Sequence, residues 1–180
     1  KKVLIIGSSS GYGLASRISL AFGAGADTIG VALEKGVEGK RIGTAGWWDT
    51  VAFTEEAKKE GLTAKNFMGD AFSDEMKNEV IKYIKDEFGG KIDLLIYSLA
   101  SGVRTDPKTG ITYRSALKST TNEIEGPTIN LEKESIETGK MEVATAEELE
   151  STVKEMGGED WKLWVNSLDE AGVLDNGFKT

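Results

Sequence analysis

Near the start of the chain the sequence reads Val3-Leu4-Ile5-Ile6-Gly7-Ser8-Ser9-Ser10-Gly11-Tyr12-Gly13-Leu14, and this stretch decides the fold. Its apolar run, Val3 to Ile6, is rich in β-branched residues and unbroken, which is typical of a strand buried on both faces of a parallel sheet. From Leu14 onwards, apolar residues recur with the spacing of one helical face: Leu14, Ala15, Ile18, Ala21 and Phe22. A strand, a glycine turn and a helix in this order predict the first unit of a parallel α/β sheet.

The glycine turn is suited to a phosphate or pyrophosphate group. The first N–H groups of a helix have no partner within the helix, and the helix dipole favours negative charge beside them. Ser8, Ser9 and Ser10 add hydroxyl donors. The glycines at 7, 11 and 13 have the spacing Gly-x3-Gly-x-Gly, which is typical of short-chain dehydrogenase/reductase-like Rossmann folds. A P-loop is disfavoured because no Gly-Lys-Ser/Thr follows. The alternative is a turn that only packs the helix on the strand.

Composition excludes several classes of function. With 180 residues, the chain is long enough for one large domain with a substantial core. Its net charge of −8 argues against nucleic acid or an anionic membrane as the main partner. Cysteine and histidine are absent, so these residues form no disulfide, no thiolate or imidazole metal site and no Ser-His-Asp triad. No metal site is predicted. Without a membrane-length apolar run or a leader, the sequence predicts a cytoplasmic protein.

Three further apolar stretches predict the rest of the sheet. Strand two is predicted at 28–33, strand three at 62–68 and strand four at 92–101, with helical patterns between them. This alternation predicts an α/β fold with a Rossmann-type doubly wound parallel sheet of order 3-2-1-4, which we expect to be incomplete. The ends of strands one and four then meet at the switch point, where such folds bind ligands.

The end of strand two predicts which dinucleotide binds. Leu33 and Glu34 stand where such folds place the adenosine ribose, and a carboxylate there accepts hydrogen bonds from the ribose diol. Because a 2′-phosphate would meet that negative charge, Glu34 favours NADH over NADPH. Lys35, Lys40 and Arg41 leave the opposite open, since they can neutralise a phosphate. Glu34 can also be a solvated loop charge.

The ends of strands three and four supply further candidates. Asp70 holds the position of a carboxylate against the adenine amino group, and Ala71 would flank the ring. Alternatively, Ser73 caps the next helix and Asp70 only shapes the turn. After strand four, three residues are expected to face the ribose and nicotinamide, unless they only finish the sheet: Ser98, Leu99 and Ala100.

After residue 101 the alternation of apolar strands and helical patterns gives way to turn residues and polar stretches. We therefore expect a dinucleotide-binding domain at 1–101 and a second part at 102–180. An exposed hairpin is predicted at 102–118, and 120–140 is expected to be extended and partly mobile. Thr145 and Glu148 predict a capping box for a helix that runs to Met156. A last helix at 159–171 is expected to turn its apolar side inward, namely Trp161, Trp164, Val165 and Leu168. We expect this hairpin and helical insertion to continue into a missing C-terminal half, with no compact closing element of its own.

Five stretches together resemble the trans-2-enoyl-CoA reductase family, the NADH-dependent bacterial enzymes related to the enoyl reductases of fatty-acid synthesis. They are Gly7 to Ala15, Gly43 to Trp47, Gly69 to Ser73, Tyr97 to Ala100 and Met156 to Trp161. The resemblance implies reduction of the C2–C3 double bond of an enoyl-CoA, such as crotonyl-CoA, by hydride from NADH in fatty-acid or butyrate metabolism. It also implies that Ser8 to Gly13 hold the pyrophosphate, Glu34 the ribose, Asp70 and Ala71 the adenine, and Leu99 and Ala100 the nicotinamide side.

The sequence departs from the family in one respect. Members use a tyrosine and a lysine nine positions apart to assist proton delivery, and no tyrosine of this chain has a lysine nine positions on. No catalytic residue is therefore predicted here. We expect these residues to be less than half of the enzyme, and to associate with themselves or with the missing half. Two alternatives stay open: another short-chain-type oxidoreductase acting on an alcohol or ketone, and a non-catalytic dinucleotide-binding module.

We expect the 180-residue chain by itself to show no enoyl-CoA reduction, because the proton donor of the family's pair is absent from it. The measurement is crotonyl-CoA-dependent oxidation of NADH followed at its absorbance band. Turnover above the background without protein would contradict this expectation.

Overall fold

The computed structural model describes residues 1–180. In chain order the strands are β1 (Lys2–Ile6), β2 (Asp27–Ala32), β3 (Val37–Glu38), β4 (Arg41–Ile42), β5 (Ala64–Met68), β6 (Ile92–Tyr97), β7 (Val103–Thr105), β8 (Thr112–Arg114), β9 (Ile124–Asn130), β10 (Ser135–Met141) and β11 (Leu174–Lys179). The helices are α1 (Gly11–Ile18), which continues as a π-helical turn over Ser19–Gly23, α2 (Ala45–Lys59), α3 (Asp74–Asp86), α4 (Ala146–Met156) and α5 (Glu159–Glu170). None of these helices has both the length and the apolar character needed to cross a lipid bilayer.

The chain divides into two compact units, which differ from the predicted domains. The sheet unit comprises residues 1–100 and 160–180, and the insertion unit comprises residues 101–159. The predicted boundary near 101 lies where the chain leaves the sheet unit. The last 21 residues were expected in the insertion, but they return to the sheet unit.

The sheet unit is built on one parallel sheet of order β11-β6-β1-β2-β5. In this order the four predicted strands stand as 3-2-1-4, and β11 extends the sheet beyond the fourth. Strand β6 ends at Tyr97, so Ser98 to Ser101 lie outside it. β11 was missed because it carries only two apolar residues, Leu174 and Phe178, in a polar setting. β11 pairs in parallel with β6, and nothing in the sequence of residues 174–179 indicates this pairing.

Helices cover both faces of this sheet. On one face the side chains of β1 and β2 pack against α3 and α5, through Met76, Val80 and Ile84 of α3 and Trp164 and Leu168 of α5. On the other face Val3 and Ile5 pack with Leu20 of the π-helical turn. The apolar run of β1 is thus buried on both sides, as its lack of alternation predicts.

The inward side of α1 and the π-helical turn differs in part from the predicted one, since Ala21 is the one residue of the predicted stripe that is fully buried. Gly13, Arg17 and Ala21 are buried, whereas Ile18 and Phe22 are exposed. Arg17 can occupy an inward position because its guanidinium donates to uncharged oxygen acceptors beneath the helix. Apolar spacing alone therefore selected a stripe that is mostly exposed, although it contains Ala21.

The insertion unit consists of two hairpins and a helix. β7 and β8 form the predicted hairpin, whose turn is closed by backbone donors from Lys108 and Thr109 to the Asp106 carboxylate. These hydrogen bonds hold the pKa of Asp106 below its usual value. Residues 120–140, expected to be extended and partly mobile, contribute to a second hairpin of β9 and β10. The capping box of Thr145 and Glu148 at the start of α4 is confirmed.

The two tryptophans of α5 offer a test of the return to the sheet unit. Trp164 is fully buried and donates from Nε1 to the Ala71 carbonyl oxygen, whereas Trp161, predicted inward, is 38% exposed. We expect Trp164→Ala to lower the free energy of unfolding by about 3–5 kcal/mol, because it leaves a cavity and removes one of the two hydrogen bonds to the Ala71 carbonyl oxygen. Trp161→Ala is the matched control and should cost about 1 kcal/mol or less. Urea denaturation measures both, and equal losses would contradict the placement of α5.

Candidate active-site cleft

An open cleft lies at the carboxyl ends of β1, β2 and β6 in the sheet unit. Its volume is about 340 Å³, and it is lined by Gly7, Ser9, Ser10, Gly11, Tyr12, Ala32, Leu33, Glu34, Ser98, Leu99 and Ala100. All but Ala32 are among the predicted site residues. The cleft stands where β1 lies between β2 and β6, which is the switch point expected of a doubly wound sheet.

Two glycines beside this cleft allow neighbouring backbone segments to approach each other closely. Gly7 has a φ of +82°, and a Cβ there would overlap the Ser98 carbonyl oxygen. A Cβ at Gly13 would overlap the Gly7 carbonyl oxygen. The first helix therefore packs directly on the turn, and the end of β6 lies directly beside it, because no side chain intervenes.

The start of α1 lines the cleft through Ser10, Gly11 and Tyr12. The N–H groups of Gly7 and Ser8 both donate to the Val31 carbonyl oxygen, at 2.9 and 3.1 Å, so neither is available to a ligand. The first N–H groups of α1 have no acceptor within the helix. The side chain of Ser10, at the N-cap position, accepts no hydrogen bond from them, and the first turn carries no acidic residue. This end of the cleft is electropositive and suited to an anion.

Glu34 gives the cleft a negative charge. Its carboxylate accepts a hydrogen bond from the Ser9 hydroxyl at 2.6 Å and another from the Thr44 hydroxyl. Leu33 beside it is 75% exposed and forms an apolar wall. An anion-binding helix start and a fixed carboxylate thus share one cleft.

A buried ion pair fixes the turns behind the cleft. Lys77 Nζ lies 2.9 Å from Asp160 Oδ1, and the Tyr97 hydroxyl donates to Asp160 Oδ2 at 2.8 Å. Lys77 also donates to the carbonyl oxygens of Ala71 and Phe72. The ends of β5 and β6 are therefore tied to the start of α5. The pair is almost fully buried and hydrogen-bonded, so a substitution that removes one partner would leave the other charge buried without a counter-ion.

Four predicted site residues do not line the cleft. Ser8 is buried, and Gly13 serves the helix packing described above. Ala71 is buried, with its carbonyl oxygen bonded to Lys77 and Trp164. The Asp70 carboxylate accepts from the Phe72 N–H at 2.9 Å and so shapes the turn, while Ser73 caps α3 through the Met76 N–H. The adenine contacts of Asp70 and Ala71 stay predictions.

Besides the Lys77–Asp160 pair, two supporting residues were missed in the sequence. Arg17 lies under α1 and donates to Thr28 Oγ1, Asn66 Oδ1 and the Lys65 carbonyl oxygen. Burial lowers the pKa of Arg17 to about 9. The sequence feature that could have revealed Arg17 is its spacing: it lies four residues after Gly13 and four before Ala21, which places all three on the same, buried side of the helix. Thr44 was missed because a threonine before a helix indicates an ordinary N-cap.

Comparisons with known proteins find one family along the whole chain. The family described as the NAD(P)H binding domain of trans-2-enoyl-CoA reductase matches residues 1–39. The family described as the trans-2-enoyl-CoA reductase catalytic region matches residues 41–180.

Individual relatives agree with these matches. A trans-2-enoyl-CoA reductase [NADH] of Clostridium beijerinckii is 62% identical over 98% of this chain and 44% of its own length. An enoyl-[acyl-carrier-protein] reductase [NADH] of Photobacterium profundum is 55% identical over 100% of this chain and 45% of its own. The crystal structure of Clostridium acetobutylicum trans-2-enoyl-CoA reductase with NADH has a TM-score of 0.90 and 55% identity, over 97% of this chain and 44% of that one. The chain thus spans less than half the length of these relatives.

The glycine contact at the cleft floor can be tested by substitution. We expect Gly13→Ala to lower the free energy of unfolding by at least about 2 kcal/mol, because the new methyl must displace the Gly7 carbonyl. The matched control is Gly23→Ala, where a Cβ meets nothing within 4 Å and the change should stay within about 0.5 kcal/mol. Urea unfolding of both variants gives the comparison, and a neutral Gly13→Ala would refute the contact.

Proposed function

The chain belongs to the trans-2-enoyl-CoA reductase family, and from this premise we propose that it supplies the NADH site of an enzyme that reduces the C2–C3 double bond of a trans-2-enoyl-CoA. The observation that carries the proposal is the cleft at the ends of β1, β2 and β6, where a helix start and a carboxylate lie together. These are the two groups that a dinucleotide with a free ribose diol requires.

The pyrophosphate is proposed to bind at the start of α1. The donors there are the N–H groups of the first turn and the hydroxyl of Ser10, next to the cleft-lining Gly11. Because the first turn holds no acidic residue, nothing opposes the charge of the phosphates. Because Gly13 contacts Gly7 directly, no side chain separates the helix start from the end of β1, and phosphates can approach the N–H groups of the first turn.

The adenosine ribose is proposed to lie on Glu34, with Leu33 beside the adenine. Arg41, which can in principle neutralise a 2′-phosphate, instead bonds to Glu38 at 3.1 Å across the β3–β4 hairpin. The negative charge at the ribose end therefore favours NADH over NADPH. The same cofactor is named for the Clostridium and Photobacterium relatives.

The nicotinamide end is proposed to lie along Ser98, Leu99 and Ala100. When bound, NADH supplies the hydride, and the protein supplies binding, orientation and a proton. The residues of this chain bind and orient, since the tyrosine and lysine of the family's catalytic pair are absent from it. We propose that they associate with the remainder of a longer enzyme that carries this pair. A cytoplasmic location stays a prediction of the sequence.

The substrate class is proposed to be a trans-2-enoyl thioester. Relatives are named both for enoyl-CoA and for enoyl-acyl-carrier protein, two carriers of the same reactive group. The family match over residues 41–180 supports the CoA form for this chain.

A charge placed at the start of α1 tests the proposed pyrophosphate site. We expect Ser10→Asp to weaken NADH binding about tenfold or more, because the new carboxylate repels the phosphates and occupies the helix dipole. Aspartate is a favourable N-cap residue, so the fold should keep its stability. Fluorescence titration of NADH against the protein measures the change.

Ser10→Asn is the matched control, since it has the same size and capping ability without the charge. Its binding should lie within about threefold of the unchanged protein, and all forms should melt at similar temperatures. Failure of the unchanged protein to bind NADH would overturn the proposed function. Equal binding by the Asp and Asn variants would overturn the pyrophosphate site alone.

A further inference from the structure

Glu34 is held from two sides. Ser9, in the turn after β1, donates to Oε1, and Thr44, at the start of α2, donates to Oε2. The backbone of α2 also lies against this carboxylate, because a Cβ at Gly46 would overlap Oε1. The three residues Ser9, Glu34 and Thr44, which we name the Glu34 clasp, join segments that are separated by 25 and 10 positions in sequence.

The hydroxyl of Thr44 is used in an unusual way. Thr44 occupies the N-cap position of α2 with an extended backbone, yet its side chain accepts no hydrogen bond from the helix. It donates to Glu34, and its backbone N–H donates to the Lys35 carbonyl oxygen at 2.9 Å. The hydroxyl therefore serves the segment after β2 rather than the helix: it donates to Glu34 and accepts from the Lys35 N–H at 3.3 Å.

The clasp leaves Glu34 able to bind a diol. A carboxylate has about four acceptor positions on its two oxygens, and Ser9 and Thr44 use one on each. The remaining positions suit the two hydroxyls of a ribose. At the same time the carboxylate cannot turn away from a ligand that carries a phosphate at that place, because both of its oxygens are tethered.

We propose that Ser9 and Thr44 are positioning residues that set the preference for NADH over NADPH, by holding the Glu34 carboxylate against the ribose. This inference rests on the proposed function. The charge of Glu34 discriminates between NADH and NADPH, and the clasp fixes the position of that charge. Without the clasp, the carboxylate would lose its alignment with the diol and would be free to rotate away from a 2′-phosphate.

The test compares affinities for NADH and NADPH, measured by fluorescence titration of the 180-residue protein. Thr44→Val removes the hydroxyl and keeps the shape, and it removes no helix cap. We expect it to lower the ratio of NADH affinity to NADPH affinity about tenfold, roughly the value of one charge-assisted hydrogen bond. Ser9→Ala should lower the ratio in the same direction. Thr44→Ser keeps the hydroxyl and should restore the preference.

Two controls separate positioning from loss of structure. Ser19→Ala removes an exposed hydroxyl that donates to the Ala15 carbonyl oxygen, and it should leave the ratio unchanged. In a Glu34→Ala background, Thr44→Val should have no further effect on the ratio, because its action passes through the carboxylate. Thermal melting of each variant shows whether it is folded.

The outcomes are distinct. A preference for NADH that falls in Thr44→Val, returns in Thr44→Ser and does not respond to Thr44→Val without Glu34 supports the clasp. A preference unchanged in the folded Thr44→Val variant overturns the clasp and leaves the proposed NADH site standing. Equal binding of both cofactors by the unchanged protein overturns the clasp as well, and binding of neither overturns the proposed function itself.

Discussion

The contact between two glycines, Gly7 and Gly13, is the constraint on which the rest of the sheet unit depends. Because no side chain separates the turn from the helix, the start of α1 lies directly over the end of β1. Gly7 makes a second close approach, to the backbone of Ser98 at the end of β6. The two strands that border the switch point are thereby held together where the cleft opens, and Ser10, Gly11 and Tyr12 at the start of α1 line it.

Much of the fold could be predicted because the apolar runs are unambiguous. Val3 to Ile6 has no alternation and is buried on both faces, so its place inside the sheet followed from composition. The Rossmann-type fold and the resemblance to the trans-2-enoyl-CoA reductases are both confirmed. The strand Leu174–Lys179 was missed because it is polar and is defined by its neighbour rather than by its own pattern.

The site was predictable where it depends on one segment and unpredictable where it depends on distant pairs. The glycine turn carries its own signal, and most of the cleft lining was named from it and from the ends of the predicted strands. Arg17 was hidden because its acceptors, which include Asn66, lie on other elements. Lys77 and Asp160 are 83 positions apart, so neither residue indicates by its surroundings that it is half of a buried pair.

The two hydrogen bonds to Glu34 bear on how one cleft can hold both a helix start and a carboxylate. The helix start remains positive because its first turn has no acidic residue, and Glu34 cannot swing across to it while Ser9 and Thr44 hold its oxygens. With the pyrophosphate site proposed at the helix start, an untethered carboxylate would compete with the phosphates for the N–H groups there. Separation of the two charges is therefore a condition for binding a molecule that has phosphates at one point and a diol at another. The hydrogen bond from Ser9 maintains it from within the glycine turn.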